Sequence, residues 1–118
     1  MPYSEAFRDH LANPRNAGAL EDADADVELT NPVCGDRLRL TLRARDGRIA
    51  AARFLAYGCP PTLACGSALT ELIQGQTLED AARLTRDTLT QKLGGLPARK
   101  GHAAALAVET LRAALSKL

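Results

Sequence analysis

Hydrophobic and polar positions change period along the chain, and the changes predict its elements. Tyr3, Phe7 and Leu11 share one helical face, which predicts a helix from Ser4 to Ala12, stopped by Pro14 and Gly18. Asn13-Pro14-Arg15-Asn16-Ala17-Gly18 is turn-forming, because Asn and Gly tolerate left-handed backbone and Pro fixes φ. The acidic stretch from Leu20 to Ala25 reads as a loop. Period two follows. Val27 and Leu29 point to a first strand. Leu38, Leu40 and Leu42 alternate with Arg37, Arg39, Thr41 and Arg43, the pattern of a half-buried strand. Asp46-Gly47 is a hairpin signal. Ile49 to Tyr57 is the returning strand, with Ile49, Ala51, Leu55 and Tyr57 in period two, interrupted by Arg53. The three form an antiparallel meander.

Helical spacing then returns. Pro61 to Gln74 is predicted as one helix, ended by Gly75. Thr77 caps another, and Thr88 to Leu93 is a short one before Gly94-Gly95. Leu96 to Gly101 is a connector. His102 to Lys117 is the last helix, with an apolar stripe of Ala104, Ala107, Val108, Leu111, Ala114, Leu115 and Leu118. Core packing accounts for that stripe without a membrane. The expected class is α+β: a small three-stranded antiparallel sheet packed with about five helices, in a single domain over 1–118.

Composition narrows the function. The chain has 118 residues, 46% hydrophobic and 25% charged, as in an ordinary soluble domain. Aromatics are 3%, so the core rests on Leu, Ala, Val and Ile. Fifteen basic residues face 14 acidic ones, a balance that argues against nucleic acid or an anionic membrane as partner. No apolar run approaches the ~20 residues that span a bilayer. Glu5, Arg8 and Asp9 do not fit a signal peptide. Three cysteines without an export signal suggest reduced thiols in the cytoplasm, used for metal or redox work. No Ser-His-Asp set, phosphate loop or acidic dyad supports a hydrolase or kinase.

The chemistry gathers at element boundaries. Cys34-Gly35-Asp36 precedes the second strand, Cys59 follows the third, and His102 opens the last helix. A hairpin sets the start of one strand beside the end of its partner, so the Asp46-Gly47 turn brings Cys34, Asp36 and Cys59 to one end of the sheet. Two thiolates, a carboxylate and an imidazole suit Zn²⁺ or iron. Cys59 also lies at a helix N-terminus, where the dipole favours thiolate, although Pro60 and Pro61 remove two amide donors. The bland alternative is a buried cysteine that ends a strand. Cys65, in the second turn of that helix, points with Leu69 and Leu72 and reads as core. It is also only about 6 Å along the axis from the helix start, within reach of a metal site. His10 reads as a surface or structural residue near the first helix end.

Several blocks resemble the U-type iron–sulfur cluster scaffold family, the NifU-like N-terminal domain. They are Asp9-His10-Leu11-Ala12-Asn13-Pro14-Arg15-Asn16-Ala17-Gly18, then Asn31-Pro32-Val33-Cys34-Gly35-Asp36, then Ala52-Arg53-Phe54 with Tyr57-Gly58-Cys59, and Leu96-Pro97 followed by Lys100 and His102. They occur in the family's order over nearly the whole chain. The resemblance implies an α+β fold and a scaffold that is not itself an enzyme. Such a protein takes sulfur from a cysteine desulfurase, binds iron at the same site, and hands a transient iron–sulfur cluster to acceptor apoproteins. It implies Cys34, Asp36, Cys59 and His102 as ligands; the same donor set leaves Zn²⁺ open as an occupant of the resting form.

The chain departs from the family at three places. Ala103 stands where a third ligating cysteine follows the histidine, and Pro60-Pro61 replaces small flexible residues. Ala98 replaces the second proline of a segment that resembles an Hsp70-class chaperone site, which weakens the case for that partner. Two other readings therefore stand beside the scaffold: a divergent zinc-binding interaction protein that no longer builds clusters, and a persulfide carrier acting through Cys59. On the scaffold reading, Cys65 is the available substitute for the missing thiolate.

Overall fold

Ser4 caps the first helix of the computed structural model, which describes residues 3–97 and 100–118. Its Oγ accepts from the Phe7 N–H at 3.0 Å, so α1 runs Glu5–Ala12. Among the described residues, three strands and five helices follow the order α1, β1 (Ala25–Thr30), β2 (Arg37–Arg45), β3 (Arg48–Tyr57), α2 (Pro60–Ile73), α3 (Leu78–Ala82), α4 (Arg86–Lys92) and α5 (Gly101–Leu115). The sheet is antiparallel with β2 central. That is the α+β meander expected from the sequence.

The β2–β3 turn is the two-residue kind that Asp-Gly favours. Asp46 and Gly47 have φ of 54° and 74°, and Arg45 pairs with Arg48. Leu38, Leu40 and Leu42 are all fully buried. On β3 the expected inward set is corrected. Arg43 pairs with Ala51 but Ala44 pairs with Ile49, which leaves Ala50 as an extra residue. That bulge shifts the parity of the strand. Ile49, Ala52 and Phe54 face the core, Ala51 and Leu55 are half-buried, and Tyr57 is exposed beneath the Arg37 guanidinium.

Helix α2 packs on β3, α5 packs on β1 and β2, and the two helices meet each other. The α2 backbone passes close to the Phe54 ring at Gly66, where a Cβ would lie 2.4 Å from it. Several boundaries move. α2 begins at Pro60, one residue before the expected Pro61, because Cys59 is extended (φ −77°, ψ 157°) and serves as N-cap. α4 begins at Arg86 because Thr85, by accepting from the Thr88 N–H, sets the cap earlier. α5 ends at Leu115, so Leu118 leaves the expected stripe and is exposed, while Ala103 and Leu106 join the core. Of the expected connector 96–101, Ala98 and Arg99 lie outside the described residues, and with them the altered position of the chaperone-like segment. Among the described residues no helix is long and apolar enough to cross a membrane.

Candidate metal and sulfur site

The turn from Asn31 to Asp36 carries the first thiol. Asn31 holds the turn at both ends: its Oδ1 accepts from Val33 N–H at 2.9 Å, its carbonyl accepts from Gly35 N–H at 2.8 Å, and its own N–H donates to the Asp36 carbonyl at 2.8 Å. Gly35 supplies the positive φ of 78°. Cys34 sits exposed on this turn, next to Val33, which is 94% exposed.

Strand pairing does the rest. Arg37 pairs with Tyr57, so Asp36 and the Gly58-Cys59 corner are neighbours. Asp36 is 6% exposed. Its Oδ2 accepts from Cys59 Sγ at 2.8 Å, from Cys59 N–H at 3.3 Å and from Thr62 Oγ1 at 2.7 Å. Its Oδ1 lies against Gly58, where a Cβ would come within 2.2 Å. Gly58 thus has two reasons to be glycine, this contact and its φ of 141°. Burial opposes ionisation of Asp36, but the hydrogen bonds from Cys59 and Thr62, together with the charge of His102, outweigh it. The carboxyl is held below its ordinary range.

His102 enters from α5. Ligand atoms of Cys34, Asp36 and His102 all lie within 4.8 Å of one another. Of the four side chains named from the sequence, three form that group; Cys59 is outside it and touches it through Asp36 alone. A hollow of about 210 Å³ opens beside His102, between the Asn31–Val33 turn and α5. A larger hollow of about 760 Å³ at the β2–β3 hairpin end touches none of the four.

Cys65 is elsewhere in character. It is fully buried in the core, and burial, with Cys59 adding, pushes its thiol up to about 12. Ala103 is fully buried as well. His10, expected at the surface, is 4% exposed. Its Nδ1 meets Ser67 Oγ at 2.7 Å and its Nε2 is 3.7 Å from Glu71, so α1 and α2 are joined through it. Sequence reasoning missed Thr62. The signal was there: a hydroxyl three residues after Cys59, on a helix whose first amides are prolines. It missed the seat at Gly58 too.

Chemically, Cys34, Asp36 and His102 present one sulfur, one oxygen and one nitrogen close together, with a second sulfur, from Cys59, against the same carboxylate. Soft thiolates and imidazole suit iron and zinc, and the carboxylate is a harder donor.

The family model described as NifU-like N terminal domain matches residues 2–118. The chain is 42% identical over 113 residues to the iron–sulfur cluster assembly scaffold protein IscU 1 of Archaeoglobus fulgidus, covering 96% of this chain and 74% of that one. It is 39% identical over 115 residues to the scaffold protein IscU of Aquifex aeolicus, covering 96% and 73%. The fold is similar to a crystal structure from Fervidobacterium islandicum, described as a scaffold for iron–sulfur cluster assembly in the SUF system. The TM-score is 0.80 and each chain is covered to 96%; identity is 23%, so this likeness is one of fold.

Proposed function

Because the chain belongs to the family of NifU-like N-terminal domains, we propose that it is a scaffold for iron–sulfur cluster assembly. Its cargo is iron and sulfide, gathered at Cys34, Asp36, Cys59 and His102. Sulfur arrives from a cysteine desulfurase as persulfide, a two-electron reductant such as an external thiol brings its outer sulfur to sulfide, and the finished cluster leaves for acceptor apoproteins. The protein is a carrier rather than an enzyme, and it works in the cytoplasm.

The observation that carries this reading is the convergence of Cys34, Asp36 and His102 within 4.8 Å, with Cys59 Sγ 2.8 Å from the same carboxylate. Exposure fits a carrier. Cys34 is open to solvent and Cys59 partly so, and persulfide sulfur must be handed to a thiol that a partner can reach. The carboxylate adds a hard, weaker ligand that keeps the site exchangeable.

Anaerobic incubation with Fe²⁺, cysteine, a cysteine desulfurase and dithiothreitol as reductant, followed by mixing with an apo-ferredoxin, tests the proposal. Cluster absorption on the scaffold, then its appearance on the acceptor, is the expected sequence. Tight zinc with no transferable cluster contradicts it and leaves a zinc-binding interaction protein.

A further inference from the structure

Helix α2 opens on Pro60 and Pro61, so the first two amide donors of its N-terminus are missing. Those amides ordinarily serve a carboxylate placed beside a helix start. Asp36 lies beside this one and takes its hydrogen bonds from Cys59 N–H, Cys59 Sγ and Thr62 Oγ1 instead, all on Oδ2. The Thr62 bond, at 2.7 Å, is the shortest of the three, and Thr62 is fully buried. Thr62 Oγ1 is also 3.5 Å from Cys59 Sγ, so one hydroxyl touches two of the four candidate ligands.

We propose that Thr62 is a positioning residue of this site: its hydroxyl stands in for the missing amides and fixes the Asp36 carboxylate in the orientation in which it meets Cys34, Cys59 and His102. This rests on the reading of those four side chains as the cargo site. When an ion occupies Cys59, the sulfur no longer donates to Asp36. The Cys59 N–H, at 3.3 Å, is the longest of the three bonds. Thr62 is then a side-chain donor that keeps the carboxylate from turning. Valine has the shape of threonine without its hydroxyl, so Thr62→Val isolates the hydrogen bond. Thr62→Ser keeps it.

Anaerobic Co²⁺ titration, followed by visible spectroscopy, tests the proposal on the wild-type chain and both variants. Metal-free melting temperatures are recorded alongside. The wild-type chain is expected to bind Co²⁺ with thiolate-to-cobalt charge-transfer bands. Thr62→Val is expected to bind about ten- to a hundredfold more weakly, the usual effect of losing a partner that orients a ligand, with altered ligand-field bands. Thr62→Ser is expected to restore both. Wild-type affinity and spectrum in Thr62→Val overturn the role of Thr62 and leave the cargo site standing, as does a folded Thr62→Ser that behaves like Thr62→Val. Failure of the wild-type chain to bind Co²⁺ removes the cargo site and the role of Thr62 with it. If Thr62→Val does not fold, Thr62→Ala against Thr62→Ser makes the same comparison.

Discussion

Cys59 Sγ lies 2.8 Å from Asp36 Oδ2, so the thiol after β3 touches the carboxylate before β2. The contact follows from strand register, since Arg37 opposite Tyr57 places the two flanking residues side by side. It also depends on the absence of a side chain at Gly58. Gly58→Ala puts a methyl group 2.2 Å from Asp36 Oδ1 on a backbone with φ of 141°. The strain costs about 1–3 kcal/mol. The expected result is a lowered melting temperature together with weaker Co²⁺ binding, because the carboxylate must move. Unchanged binding would show that Asp36 is not held where the cargo needs it.

The three thiols are expected to separate by reactivity. Thiolate is the reactive form, and Cys65 is fully buried with its thiol pushed up to about 12. Iodoacetamide treatment of the native protein, read by mass spectrometry, is expected to label Cys34 and Cys59 and to reach Cys65 only after unfolding. Cys65→Ala is expected to leave cluster yield unchanged. A fall in yield would make Cys65 the substitute for the thiolate missing at Ala103.

Packing of α2 on β3 depends on Gly66. A Cβ there meets Phe54 at 2.4 Å, and the ring is 1% exposed, with no room to retreat. Gly66→Ala is expected to destabilise the fold by about 1–3 kcal/mol, measurable by urea denaturation, despite the higher helix propensity of alanine. A gain in stability would mean that the helix backs away at no cost.

His10 gives the protein an acid-sensitive joint. Burial holds its imidazole below the ordinary value of 6.5, Arg15 adds to the effect and Glu71 opposes it. The unfolded chain therefore binds a proton more readily than the folded one. Stability from His10 is complete above about pH 6.5 and is lost as pH falls through the folded value. His10→Gln is expected to flatten the fall in melting temperature between about pH 7 and pH 5. Equal slopes in the two proteins would count against it.

Much of this was legible in the residues. Leucine alternation at 38–42 gave β2, and Asp46-Gly47 gave the hairpin. Together they put Cys34, Asp36 and Cys59 at one end of the sheet, because a hairpin leaves no other geometry. The bulge at Ala50 was not legible. Three alanines in a row carry no inward or outward mark, so parity was carried across them unchanged and Leu55 and Tyr57 were expected inside. The burial of His10 was hidden for a different reason. Its partners, Ser67 and Glu71, are about 60 residues away along the chain, and only the packing of α1 on α2 brings them together.

Iron and acid-labile sulfide per chain, counted after anaerobic reconstitution of the wild-type protein and of Cys34→Ala, Cys59→Ala and Cys65→Ala, tests the central claim most directly. The expected result is iron and sulfide retained together by the wild type and Cys65→Ala, and lost from Cys34→Ala and Cys59→Ala. Retention by Cys34→Ala or Cys59→Ala, or iron without sulfide on the wild type, would contradict it.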